Sequence, residues 1–148
     1  MRTKGIETTR RNVSDFAREA RKILGGGYLA EEAIRRISDR GVISGLRSTS
    51  EIKILKKKFT DRFFLIAIDA PIESRYAWAR ARQRIGDDLS FEQFKAEEDR
   101  ERYGSPDTQE VDRVIAMADE TIKNEGTKEE LLAEAQRVLT LLEKGSSL

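Results

Sequence analysis

The sequence predicts an α/β fold with largely parallel strand pairing. Three short apolar runs, Val42-Ile43-Ser44, Phe63-Phe64-Leu65-Ile66-Ala67-Ile68 and Thr121-Ile122-Lys123, are separated by stretches of helical period. Strands that alternate with helices pack as a parallel sheet with helices laid against it. The middle run is the clearest strand, because it is short, rich in aromatic and β-branched residues, and closed by Asp69-Ala70-Pro71.

The elements follow in order. Helical patterns cover residues 12–24, with a cap region at Ser14-Asp15, then 29–39, 48–59, 72–85, 90–103 and 111–118. The Gly25-Gly26-Gly27 turn separates the first two. Ser48 is placed to cap the helix that contains Glu51, and Ser90 restarts a helix after the Gly86-Asp87-Asp88 break. The last helix, 127–143, opens with Thr127 as N-cap and Glu130 three residues on, a capping box. No repeat of fixed period is present, and 148 residues fit one domain, 1–148, with a helical lid over about 75–104.

Composition excludes several chemistries. Cysteine and histidine are both absent, which removes thiolate nucleophiles, iron–sulfur and cysteine–zinc sites, serine–histidine–acid triads and imidazole bases. Any chemistry rests on carboxylates, Lys, Arg, hydroxyls and backbone amides. The net charge of +1 hides an asymmetry: residues 1–62 carry 16 Lys+Arg against 8 Asp+Glu, and residues 63–148 carry 12 against 19. A basic half in a neutral protein suggests an anionic ligand, although two oppositely charged faces that pair with each other give the same count. The basic half contains only Phe16, Tyr28 and Phe59 as aromatics, too few for a base-stacking platform, so nucleic acid is an unlikely partner. No apolar stretch is long enough for a membrane span, and the expected setting is cytoplasmic.

Four constellations could carry chemistry. Arg10 and Arg11 in Thr8-Thr9-Arg10-Arg11-Asn12 precede Arg18, Arg21 and Lys22, which recur at three- and four-residue spacing and suit phosphate oxygens. An exposed basic helix fits the same letters. Val42-Ile43-Ser44-Gly45-Leu46-Arg47-Ser48 reads as a strand that delivers Arg47 at its carboxyl end, where open α/β sheets bind ligands, or as a plain helix start. Arg75, Arg80, Arg82 and Arg84, followed by Gly86-Asp87-Asp88 and Ser90-Phe91-Glu92-Gln93-Phe94, suit a lid that closes over phosphates, or a solvated charged hairpin. The turn at Asn124-Glu125-Gly126-Thr127 could line a nucleotide-base pocket or serve as a connector.

Taken in order, these segments resemble the nucleoside monophosphate kinase and dephospho-CoA kinase branch of the P-loop kinases, most closely small archaeal-type nucleotide kinase-like proteins, over about residues 9–142. The resemblance implies a three-layer sheet with flanking helices and a helical lid. It also implies ATP as phosphoryl donor, Mg²⁺, and a nucleoside monophosphate or dephospho-CoA-like acceptor. Arg10, Arg11 and Arg47 would then hold the acceptor phosphate, Arg80 and Arg84 would stabilise the transferring charge, and Asn124 and Gly126 would lie at the nucleotide. One departure stands out. The chain has no Gly-x-x-x-x-Gly-Lys-Ser/Thr loop, the element that cradles phosphates in that family. Its absence implies a missing or rearranged first strand, impaired catalysis, and a sheet edge open to a missing N-terminal segment or a second copy. The alternative is a non-catalytic module that binds a nucleotide or a protein.

Overall fold

The computed structural model describes residues 9–38, 40–83, 88–104 and 109–145, with only the backbone described at 10, 11 and 143–145. The elements are α1 (Arg10–Leu24), α2 (Tyr28–Ile34), α3 (Thr49–Phe59), β1 (Ile66–Asp69), α4 (Ile72–Arg82), α5 (Phe91–Arg102), α6 (Val111–Ala116), β2 (Glu120–Lys123) and α7 (Lys128–Gly145). A 3₁₀ turn, Thr60–Arg62, links α3 to the approach of β1. The α/β class holds. The sheet among the described residues is a pair, β1 and β2, in parallel register from Ile66 opposite Glu120 to Asp69 opposite Lys123.

The sheet among the described residues is smaller than expected. The three-layer sheet is not seen among the described residues, and Val42-Ile43-Ser44 forms no strand: Val42 is 96% exposed and no ladder partner faces it. Apolar letters alone do not make a strand, because an extended segment with no neighbour leaves its backbone to water. The middle strand begins at Ile66, three residues later than the apolar run. Phe63 and Leu65 instead enter the core before pairing starts.

Helix positions follow the sequence closely, and the caps explain why. Thr9, not the Ser14-Asp15 region, opens α1, its hydroxyl accepting from Asn12 N at 3.1 Å. Gly25 closes it at φ 94°, a conformation that glycine takes without steric cost. α2 is shorter than predicted, ending at Ile34. Ser48, Ser90 and Thr127 each head a reciprocal box with the acid or amide three residues on, Glu51, Gln93 and Glu130.

The core lies between α3, α6 and the approach to β1. Ile52, Leu65 and Val114 are buried together, with Leu46, Phe63, Met117 and Ala118 packed against them. α1 joins this body by an unusual face. Phe16, Ile23 and Leu24 are exposed, whereas Arg21 is buried. The helix therefore turns its cation inward, and the predicted display of Arg18, Arg21 and Lys22 side by side does not form. Arg18 pairs instead with Asp15 at 2.9 Å on the surface.

The α4–α5 hairpin is held by its own contacts. Arg75 pairs with Glu98. Tyr76 packs edge-on against Phe91 at 5.3 Å, tilts against Phe94 at 5.5 Å, and donates its hydroxyl to Leu89 O at 2.9 Å.

Truncating the core should cost more than removing a cap. Ile52→Ala is expected to lower the unfolding free energy by about 2–5 kcal/mol, and Ser48→Ala by about 1 kcal/mol. Urea denaturation of both variants checks the order.

Candidate functional site

Topology brings polar groups from five segments to the carboxyl ends of β1 and β2. α3 runs back along the sheet: Lys56, near its end, pairs at 3.6 Å with Asp119, which precedes β2. Its start therefore lies at the opposite end of the strands. α6 begins at that same end. Arg102, at the end of α5, reaches Asp69 at the end of β1 (3.4 Å) and Asp112 at the start of α6 (2.5 Å). In open α/β sheets this rim is where ligands bind.

Glu51 organises the rim. One carboxylate oxygen accepts from Arg47 N at 2.9 Å and Ser48 N at 3.1 Å, and the other accepts from Arg21 Nη2 at 2.8 Å. Both side chains of the Arg21–Glu51 pair are only 2% exposed. A second acid completes the start of α3. Glu110 accepts from the amide of Thr49 at 2.9 Å and from its hydroxyl, and binds Arg113 at 3.1 Å, while its own amide donates to Arg47 O at 2.8 Å. Gln109 then ties this loop to α1, donating to Ser14 Oγ at 2.9 Å. Ser14 and Arg21 are seven residues apart, so the two ties lie on one face of α1.

Three polar atoms in this network have no partner among the described residues: Arg21 Nε, Arg21 Nη1 and Gln109 Oε1, all buried. Buried donors and acceptors are almost always satisfied in folded proteins, so a set of them at one rim asks for a further polar group.

The site residues predicted from sequence divide sharply. Arg47 stands at the rim, half-buried, its backbone bound on both sides by Glu51 and Glu110. Arg10 and Arg11 form the first turn of α1, the end nearest Gln109, and their side chains lie outside the described residues. Asn124 is at the rim, its amide donating to Asp69 O at 2.7 Å. Gly126 has a local explanation. A Cβ there would come within 2.1 Å of Glu130 Oε2, the group that caps α7 through Thr127.

Arg80 is exposed and pairs with Asp88 at 3.0 Å, and Arg84 lies outside the described residues. Sequence reasoning missed Glu51, Gln109 and Glu110 as site residues, and named Arg21 only as one of a row of displayed cations. The Ser48–Glu51 spacing signalled one of them as a cap, but nothing in the spacing of Gln109 and Glu110 announces their partners some sixty and ninety residues away.

No group of three or more acids that could hold a metal ion occurs among the described residues. The rim carboxylates Asp69 and Asp112 are both engaged by Arg102. This donor set does not fit a Mg²⁺ cage. Nor does the Gly25–Gly27 turn fit a phosphate loop, since it joins two helices and has no Lys-Ser/Thr after it.

The fold and the rim define an α/β domain whose polar network sits where such domains take ligands. No family model matches the chain. It is 31% identical to a UPF0200 protein of Thermococcus gammatolerans over 149 residues, covering 95% of this chain and 74% of that protein. It is 33% identical to a UPF0200 protein of Staphylothermus marinus, covering 93% and 71%. A UPF0200/UPF0201 protein of Archaeoglobus fulgidus is 33% identical over 95% of this chain, which spans only 44% of that longer relative. The chain belongs to the UPF0200 family. The expected membership of the nucleoside monophosphate kinase or dephospho-CoA kinase family is thereby corrected, for these relatives bear a different family name. The four motifs behind that expectation were short. One forms no strand, one is a helix cap, and one falls partly outside the described residues.

Two predictions follow the two acids. Glu51→Ala removes the partner of a buried guanidinium and should cost about 3–5 kcal/mol. Arg21→Met should cost less, because Glu51 keeps two backbone donors. Paired urea titrations measure the difference. Glu110 has its own pH signature. Burial pushes its carboxyl up, but Thr49 and Arg113 outweigh that and hold it below the ordinary 4.5. A folded-state value that is depressed gives stability that is complete above the unfolded value and is lost as pH falls through the folded one. The stability gap between the native chain and Glu110→Gln should therefore narrow on acidification below 4.5, as read by unfolding at stepped pH.

Proposed function

We propose that the chain binds a phosphorylated small molecule of the nucleotide class at the carboxyl ends of β1 and β2. The observation that carries this reading is the buried, incompletely partnered Arg21 behind Arg47. The Arg21 guanidinium and the Arg47 backbone amide both donate to the Glu51 carboxylate. Arg47 is half-buried, and guanidinium geometry matches phosphate oxygens. In this reading Arg10 and Arg11, whose backbone forms the first turn of α1, would also hold the phosphate, and Asn124 with Gly126 would flank the nucleoside. The basic bias of residues 1–62 supports an anionic ligand.

Phosphoryl transfer from ATP is the reaction such a ligand would enter as acceptor, within a larger three-layer sheet. This chain contains no Gly-x-x-x-x-Gly-Lys-Ser/Thr loop, so by itself it is expected to bind without turnover. A nucleotide-binding, non-catalytic role is the form of the proposal that its own residues support.

A thermal-shift panel of nucleoside monophosphates, ATP, dephospho-CoA and inorganic phosphate tests it. A ligand at a hundred times its Kd should stabilise the fold by about 2.7 kcal/mol. Arg47→Ala should keep the unliganded melting temperature and abolish the shift. No shift with any compound, or a shift that survives in Arg47→Ala, overturns the reading, and steady ADP release from ATP overturns the non-catalytic form.

A further inference from the structure

The β1–β2 pair is finished on one side and open on the other. Toward β2, Leu65 O accepts from Asp119 N at 2.8 Å and Glu120 N at 3.4 Å, and Asp69 O accepts from Asn124 N at 2.7 Å. Backbone groups in a parallel ladder alternate between the two edges. The N–H and C=O of Ile66 and Ile68 therefore point to the other edge, where no strand lies among the described residues.

The two faces of β1 differ in the same way. Leu65 and Ala67 are buried on the side of α3 and α6. On the opposite face Phe64 is 39% and Ile68 57% exposed, although the register partner of Ile68, Ile122, is 2% exposed on the strand against which α7 packs. Parallel sheets are normally covered on both faces, and an open, apolar edge is a template for another strand. The relatives supply a measure of what could cover it. They align over nearly all of this chain, yet roughly a quarter of the Thermococcus gammatolerans protein lies beyond the aligned span.

We propose that the free edge of β1, with the Phe64–Ile68 face, takes up an added β-strand from polypeptide of the kind these longer relatives carry outside the aligned span. The added strand makes main-chain hydrogen bonds to Ile66 and Ile68 and lays apolar side chains on Phe64 and Ile68, the mode known from strand addition to sheet edges. The inference rests on the sheet and is independent of the ligand reading.

The test mixes the full chain with synthetic peptides tiling the part of the Thermococcus gammatolerans relative that lies outside the alignment. Amide exchange is followed at Ile66 and Ile68. One peptide window is expected to slow exchange there by about tenfold or more, and to bind Ile68→Lys at least about tenfold more weakly while that variant keeps the native circular dichroism and melting temperature. Three results would overturn the proposal: exchange at Ile66 and Ile68 that no peptide changes, exchange already slow in the monomer, or a concentration-dependent dimer that protects the same amides and so makes a second copy the occupant. Should Ile68→Lys fail to fold, Phe64→Ser, on the same face and outside the ladder, replaces it with the same expected loss.

Discussion

The buried carboxylate of Glu51 is the constraint on which the described structure turns. A charged acid that is 1% exposed is tolerable only if its lone pairs are filled. Here two are filled by the amides that open α3 and one by a guanidinium from α1. The same group thus caps one helix and fastens another. This explains why α1 turns Arg21 inward while Phe16, Ile23 and Leu24 stay exposed, a reversal that hydrophobic packing alone would not produce. Breaking such a pair by removing one partner is costly, whereas replacing both with apolar groups often is not.

Glu110 repeats the device from the far end of the chain. Its carboxylate meets the next amide of α3 while its own amide holds Arg47 O, so the start of α3 is gripped by acids from both its own sequence and the loop before α6. With Gln109 on Ser14 and Arg102 between Asp69 and Asp112, a continuous polar band runs around the carboxyl ends of the strands. Lys56–Asp119 joins the basic half of the sequence to the acidic half. Lys53, Lys57, Lys58 and Arg62 stay exposed.

Local chemistry was legible in the sequence, and long-range chemistry was not. The boxes at Ser48–Glu51, Ser90–Gln93 and Thr127–Glu130 place three helix starts because donor and acceptor are three residues apart. Phe63 to Ile68 and Thr121 to Lys123 announced two strands by their apolar content. Arg47 was singled out as the residue at the end of a strand, Val42-Ile43-Ser44, that does not form, and it stands at the rim because it precedes the capped start of α3. Arg21 was seen as one of a row of surface cations, since helical spacing shows which residues share a face but not which way that face points. Gln109 and Glu110 were invisible because their partners lie on α1 and α3, and no periodicity encodes a contact across the fold. Short motifs read together misled for the same reason. Each was satisfied by local structure, a cap or a turn, before any ligand was needed.

The failure of Val42-Ile43-Ser44 to become a strand and the openness of β1 have a common cause. A strand is defined by its neighbour: its backbone groups must be met, and its side chains must have a surface on each face of the sheet. β2 meets one edge of β1, and α3 with α6 covers one face. Past that, the described residues offer nothing for Ile66 and Ile68 to bond or for Val42 to pack against. An isolated parallel pair is marginal by itself, since two strands bury little and each carries an exposed edge. It persists here because its neighbours grip both ends, Asp119 bonding Leu65 N at the start and Asn124 bonding Asp69 O at the finish. The pair is thus held like the edge of an unfinished sheet, with its register set from both ends before any further strand is added.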